Sequence, residues 1–116
     1  MKTKAMLGAL ALVTFGFCAS AHAECPFPKA PSTIPDGKTA AEPEMLAAMN
    51  AFKTYNDEVK AFQACLDTET KEKAASGGGT MQFKAMQSKK LAAAIEELEG
   101  KAKLFNEQVR IFKARG

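Results

Sequence analysis

Three consecutive glycines, Gly77 to Gly79, sit inside the stretch AASGGGT at residues 74–80, and they divide the chain beyond residue 41 into two helices. Each glycine costs a helix interior about 1 kcal/mol relative to alanine, so three in a row end one. On either side the apolar residues recur in steps of three and four. Before the break they are Met45, Ala48, Phe52, Tyr55, Val59, Phe62 and Leu66. After it they are Leu91, Ile95, Leu98, Ala102, Phe105, Val109 and Phe112, with Leu104 and Ile111 widening the stripe. Such steps draw one line down one face of a helix. The polar residues Lys53, Asn56, Asp57, Lys60 and Gln63 fall off the first line. The pattern predicts a helix over about 42–74, a glycine-rich loop over 75–80 and a second helix over about 81–115.

A loop this short makes the helices antiparallel neighbours, so the fold class is all-α, a two-helix hairpin of coiled-coil type. Folding at Gly78 pairs residues whose numbers sum to about 154, with large side chains meeting small ones. Phe52 then faces Ala102, and Phe105 faces Ala48 and Met49. Glu42 and Glu44 open the first helix, while Arg110, Lys113 and Arg115 close the second. Each group suits its own helix dipole, and both read as solvated ends. Gly100 weakens the second helix and lies on its outer face.

Residues 1–23 read as a secretory signal peptide. Lys2 and Lys4 give a positive start, residues 5–19 are apolar, and Ala21-His22-Ala23 is a small-x-small cleavage site before Glu24. The apolar run is short of the ~20 residues that span a bilayer. Cys18 follows Phe17 where lipoprotein processing requires a small residue, so it leaves with the leader. The expected location is exported, most simply periplasmic, with no stable membrane insertion after cleavage. The mature chain of 93 residues is one domain. Loss of Lys2 and Lys4 lowers the net charge from +3 to +1, fourteen basic against thirteen acidic residues. Such a balance does not argue for nucleic acid.

Residues 24–41 cannot be a helix. Pro26, Pro28, Pro31 and Pro35 lack an amide donor and restrain the residues before them, which gives an extended arm close to polyproline II. Pro35-Asp36-Gly37 is a turn signal, with glycine admitting positive φ. Thr39 and Glu42 suggest a capping box, and Pro43 suits a first helical turn. Two cysteines remain, Cys25 in the arm and Cys65 in the first helix. In an exported chain an even pair reads as a disulfide. As polyproline II, the 17 residues from Cys25 to Glu42 reach about 53 Å, against about 35 Å from Glu42 to Cys65 along a helix. The arm can therefore double back and close an intramolecular Cys25–Cys65 bond. In the chain-entropy model that bond contributes ~3–4 kcal/mol. An intermolecular bond through Cys25 is the alternative, whereas a redox-active pair lacks the Cys-x-x-Cys spacing.

Cys25-Pro26, Pro31, Ile34-Pro35-Asp36-Gly37, Met45, Tyr55 and Cys65-Leu66 together resemble a pattern in small exported proteins of Gram-negative bacteria. The resemblance covers residues 25–66. It implies a structural framework and carries over no activity.

No catalytic or cofactor motif stands out. Two cysteines and no histidine after the leader exclude an ordinary zinc site or triad. Ser76 to Thr80 shares only glycine content with a phosphate loop. Glu96, Glu97 and Glu99 lack calcium-loop geometry. Met45, Met49, Met81 and Met86 fall at opposite ends of a hairpin and read as core packing rather than copper ligands. The expectation is a non-enzymatic structural or protein-interaction module, without cofactor or metal, whose partner is another protein or a second copy. Phe83, Met86, Leu104 and Ile111, beside the seam, are the candidate surface. The alternative is a chaperone-like holdase that binds unfolded clients there.

Overall fold

The computed structural model describes residues 24–116, so the signal-peptide assignment lies outside the described residues. Among the described residues the regular secondary structure is helical throughout, with two helices and no strand. Helix α1 is Glu42–Ala75 and helix α2 is Met81–Ala114, each of 34 residues. At ~1.5 Å per residue each rod is about 51 Å long. The predicted ends hold to within one residue.

The caps show why the helices begin where they do. Thr80 is extended, and its Oγ1 accepts from the amide of Phe83 at 3.1 Å, which starts α2 directly after the glycines. α1 starts differently. Its N-cap is Ala41, with no side-chain cap and a proline in the first turn. The capping box expected of Thr39 and Glu42 does not form. The amides of Thr39 and Ala40 both donate to the Asp36 carbonyl, at 3.1 and 2.8 Å, and the Lys38 amide donates to Asp36 Oδ1 at 2.9 Å. That turn uses Thr39 before the helix begins. Between the helices, Gly78 N–H donates to the Lys73 carbonyl at 2.8 Å, and Gly77 takes φ +82°, a left-handed value that terminates a helix without strain.

Along α1 the stripe is buried as the periodicity requires: Met45, Tyr55, Val59, Phe62 and Leu66 are core, and Ala48 and Phe52 are half-buried. In α2 one position shifts. Ala94 is fully buried and Ile95 is 36% exposed, so the line passes from Leu91 to Leu98 through Ala94. Steps of three then four and of four then three fit the same spacing. Packing against Phe62 and Leu66 selects the alanine, because a small residue lets two large ones in.

The register also differs from expectation. Phe105 does pack in one cluster with Ala48, its expected neighbour, but there Phe52 and Phe105 also meet each other. Their rings stack on each other, with centroids 4.8 Å apart and planes 11° from parallel. Helical side chains tip toward their own N-terminus, covering a spot about one residue back. In an antiparallel hairpin the α1 tips lean away from the loop and the α2 tips toward it, so an α1 residue meets an α2 residue that lies further from the loop than itself. The shift brings ring onto ring, a pairing that contributes about 0.5–1.5 kcal/mol beyond its area. Phe105 is buried and Phe52 remains half-buried.

Two clusters result, and arm residues enter both. Toward the open end, Met45, Ala40 and Phe105 pack with Ala48, Phe52, Val109, Phe112 and Ile34. Nearer the loop, Phe62, Leu66 and Ala94 pack with Leu91 and Cys25. The segment from Glu24 to Ala41 forms neither helix nor strand. It runs back along α1, with Pro28 buried, Phe27 set edge-on to Phe62 at 5.5 Å, and the Lys29 amide donating to Glu58 Oε2 at 3.2 Å.

Candidate functional site

The arm is fixed at both ends. At one, Cys25 and Cys65 form a disulfide across 40 positions of sequence, with Cα atoms 5.7 Å apart. Glu69, one helical turn beyond Cys65, places Oε1 at 2.7 Å from Cys25 Sγ. A disulfide sulfur has no proton to donate, so this close approach is not a hydrogen bond. The three donor atoms all lie within 4.8 Å of one another and are half-buried.

At the other end, the turn after Pro35 docks on the last turns of α2. Gly37 is buried, and its amide donates to Gln108 Oε1 at 2.8 Å. A Cβ there would overlap the Gln108 carbonyl and come within 3.0 Å of the Phe112 amide nitrogen. Glycine is required at this corner for close approach, not for the positive φ its turn motif suggests. The Arg115 guanidinium then forks onto the carbonyls of Lys38 at 2.8 Å and Ala40 at 2.7 Å, and it lies 4.6 Å over the Phe112 ring. Arg115 therefore ties the arm to the end of α2, where the sequence suggests a solvated helix end.

These contacts frame a groove of about 440 Å³, lined by Ile34, Pro35, Asp36, Lys38, Leu104, Gln108 and Ile111. Leu104 is 55% exposed and Ile111 half-buried. Two of the four expected surface residues thus come together in one place. The other two do not join them. Phe83 and Met86 stand on the same edge of α2, but Met86 is 18 positions before Leu104, about 27 Å along the axis. Phe83 is half-buried beneath Lys73, whose Nζ is 5.7 Å from the ring centre. Met86 is 45% exposed near the loop.

Two polar groups are buried in the seam without a partner among the described residues, Tyr55 Oη and Gln87 Oε1. Burial, and then the carboxylates of Glu97 and Glu58, push the Tyr55 phenol above its usual value. Gln87 Nε2 makes a long 3.4 Å contact to the Leu66 carbonyl.

Sequence reasoning misses Glu69, Gln108 and Arg115. The four-residue spacing of Cys65 and Glu69 places them on one helix face and was legible. Nothing local marks Gln108 or Arg115, because their partners lie more than 70 positions away.

Fold and site together define a helical hairpin with an N-terminal strap pinned by a disulfide. Compared with family models, with curated proteins and with solved structures, the chain finds no match.

Proposed function

We propose that this chain is a non-enzymatic protein-interaction module, exported to the cell envelope, that engages its partner at the open end of the hairpin. The observation that carries the reading is the groove between strap and α2. Its aliphatic walls, Ile34, Leu104 and Ile111, stand on a frame fixed by Gly37, Gln108 and Arg115, yet Leu104 stays more than half exposed. Apolar side chains held rigid and open suit a protein partner that inserts an aliphatic side chain. Asp36 and Lys38 at the rim supply both signs of charge for orientation. An oxidising, exported setting accords with the disulfide. The remaining exposed apolar residues, among them Leu46, Met49, Met81 and Met86, are spread over both ends of the hairpin. That dispersion favours one defined partner over a holdase surface.

The test is site-specific photo-crosslinking in the exported protein, with a reactive side chain at position 104 or 111 and a control at Lys60 on the polar face. The reading expects one discrete adduct from 104 and 111 and none from 60. A mass of two chains identifies the partner as a second copy. Equal crosslinking from all three positions overturns the reading.

A further inference from the structure

The disulfide end of the strap holds more than a disulfide needs. Cys25 Sγ, Cys65 Sγ and Glu69 Oε1 converge within 4.8 Å, and the carboxylate oxygen is aimed at the sulfur of the arm. Cys65 and Glu69 are one turn apart on α1, a rigid platform for two ligands, while Cys25 arrives from the strap. Before oxidation these are two thiols beside a carboxylate, a donor set that suits a borderline-soft divalent cation.

We propose that the dithiol form of this chain binds a zinc-class divalent cation through Cys25, Cys65 and Glu69, so that metal holds the strap against α1 whenever the disulfide does not. Zinc takes thiolate sulfur at about 2.3 Å and carboxylate oxygen at about 2.0–2.2 Å. Tetrahedral angles then set the two sulfurs about 3.8 Å apart and each about 3.6 Å from the oxygen. Once the sulfur–sulfur bond is broken, side-chain rotation supplies that separation. The Cα atoms, 5.7 Å apart, need not move far. Water fills the fourth position, because three protein ligands leave it open.

The chemistry balances with a water-soluble phosphine as reductant. The phosphine gives two electrons to the disulfide and takes the oxygen of one water as phosphine oxide. The two protons of that water end on Cys25 and Cys65. The cation then displaces both thiol protons as it forms two metal–sulfur bonds and one bond to the Glu69 carboxylate.

The experiment uses the full chain, reduced with phosphine, desalted without oxygen and titrated with Co²⁺ as a coloured stand-in for zinc. The expected result is a thiolate-to-cobalt absorption band that saturates at one ion per chain and is absent from the oxidised protein. Zn²⁺ should displace the cobalt. Cys25→Ser should abolish the band, and Glu69→Gln should weaken binding at least tenfold. In the reduced chain, the cation should slow tryptic cleavage after Lys29 at least tenfold, which reports on the strap itself. Cobalt uptake no greater than that of the oxidised chain overturns the proposal. So does Glu69→Gln with unchanged affinity, or cleavage after Lys29 that ignores the metal.

Discussion

Gly37→Ala is a one-methyl change that the strap cannot absorb. The new Cβ would overlap the Gln108 carbonyl and crowd the Phe112 amide nitrogen at 3.0 Å. Both are backbone atoms in a helix, so neither yields, and the corner must lift. Lifting breaks the Gly37–Gln108 hydrogen bond, about 1 kcal/mol, and the two Arg115 bonds to the Lys38 and Ala40 carbonyls. Those two are partly exposed, so they are discounted to about 1 kcal/mol each. Ile34 loses part of its packing on the cluster of Ala40, Met45 and Phe105, about 2 kcal/mol. The released turn regains backbone freedom of about 1–2 kcal/mol per residue over a residue or two. The net loss is therefore about 1–4 kcal/mol. Urea denaturation of the oxidised chain measures it, with Gly100→Ala as the control. A Cβ at Gly100 meets open space within a helix, so that change should stabilise by about 0.5–1 kcal/mol. Hydrogen exchange should show the amide of Gly37 losing protection in Gly37→Ala while α1 keeps its own. A loss below about 0.5 kcal/mol would refute the reasoning, because it would mean that the corner is not docked as the clash requires.

Other consequences follow from the same packing. Phe105→Ala should cost about 3–4 kcal/mol in urea denaturation and Phe52→Ala less, because Phe105 is buried and Phe52 half-buried although their rings share one stack. Tyr55→Phe should cost under about 0.5 kcal/mol at neutral pH, since its hydroxyl has no partner to lose among the described residues. The raised Tyr55 pKa favours the protonated folded chain, so its stability term is fully present below the unfolded value of about 10 and is lost as pH rises through the folded value. Thermal denaturation between pH 9 and 11 should thus fall more steeply for the wild type than for Tyr55→Phe. Thr80→Ala should remove about 1 kcal/mol through its lost cap, read by far-ultraviolet circular dichroism on heating.

The helices were legible because their signals are local. A glycine run and a three-four stripe fix ends and faces within a few residues, and α1 and α2 keep those limits. The register was not, because it depends on which way side chains lean and on which of Ala94 and Ile95 admits Phe62 and Leu66. Periodicity is blind to a one-residue choice between adjacent apolar positions. At the corner, Asp36-Gly37 announced a turn correctly but for the wrong reason. The glycine serves contact with a helix 71 positions away, which no turn propensity encodes. Leu104 and Ile111 were found as apolar residues beside a stripe. The groove they line was hidden, because Ile34 and Pro35 form its other wall and Arg115 holds that wall in place.

The central claim is that the arm is a strap closed within one chain by Cys25 and Cys65. Non-reducing tryptic mapping of the oxidised native protein tests it directly. The peptide ending at Lys29 should be found joined to Ala61–Lys71, and a phosphine should separate the two. The linked pair should come from protein of monomer mass. A peptide ending at Lys29 joined to its own copy, or both cysteines recovered as free thiols, would contradict the account.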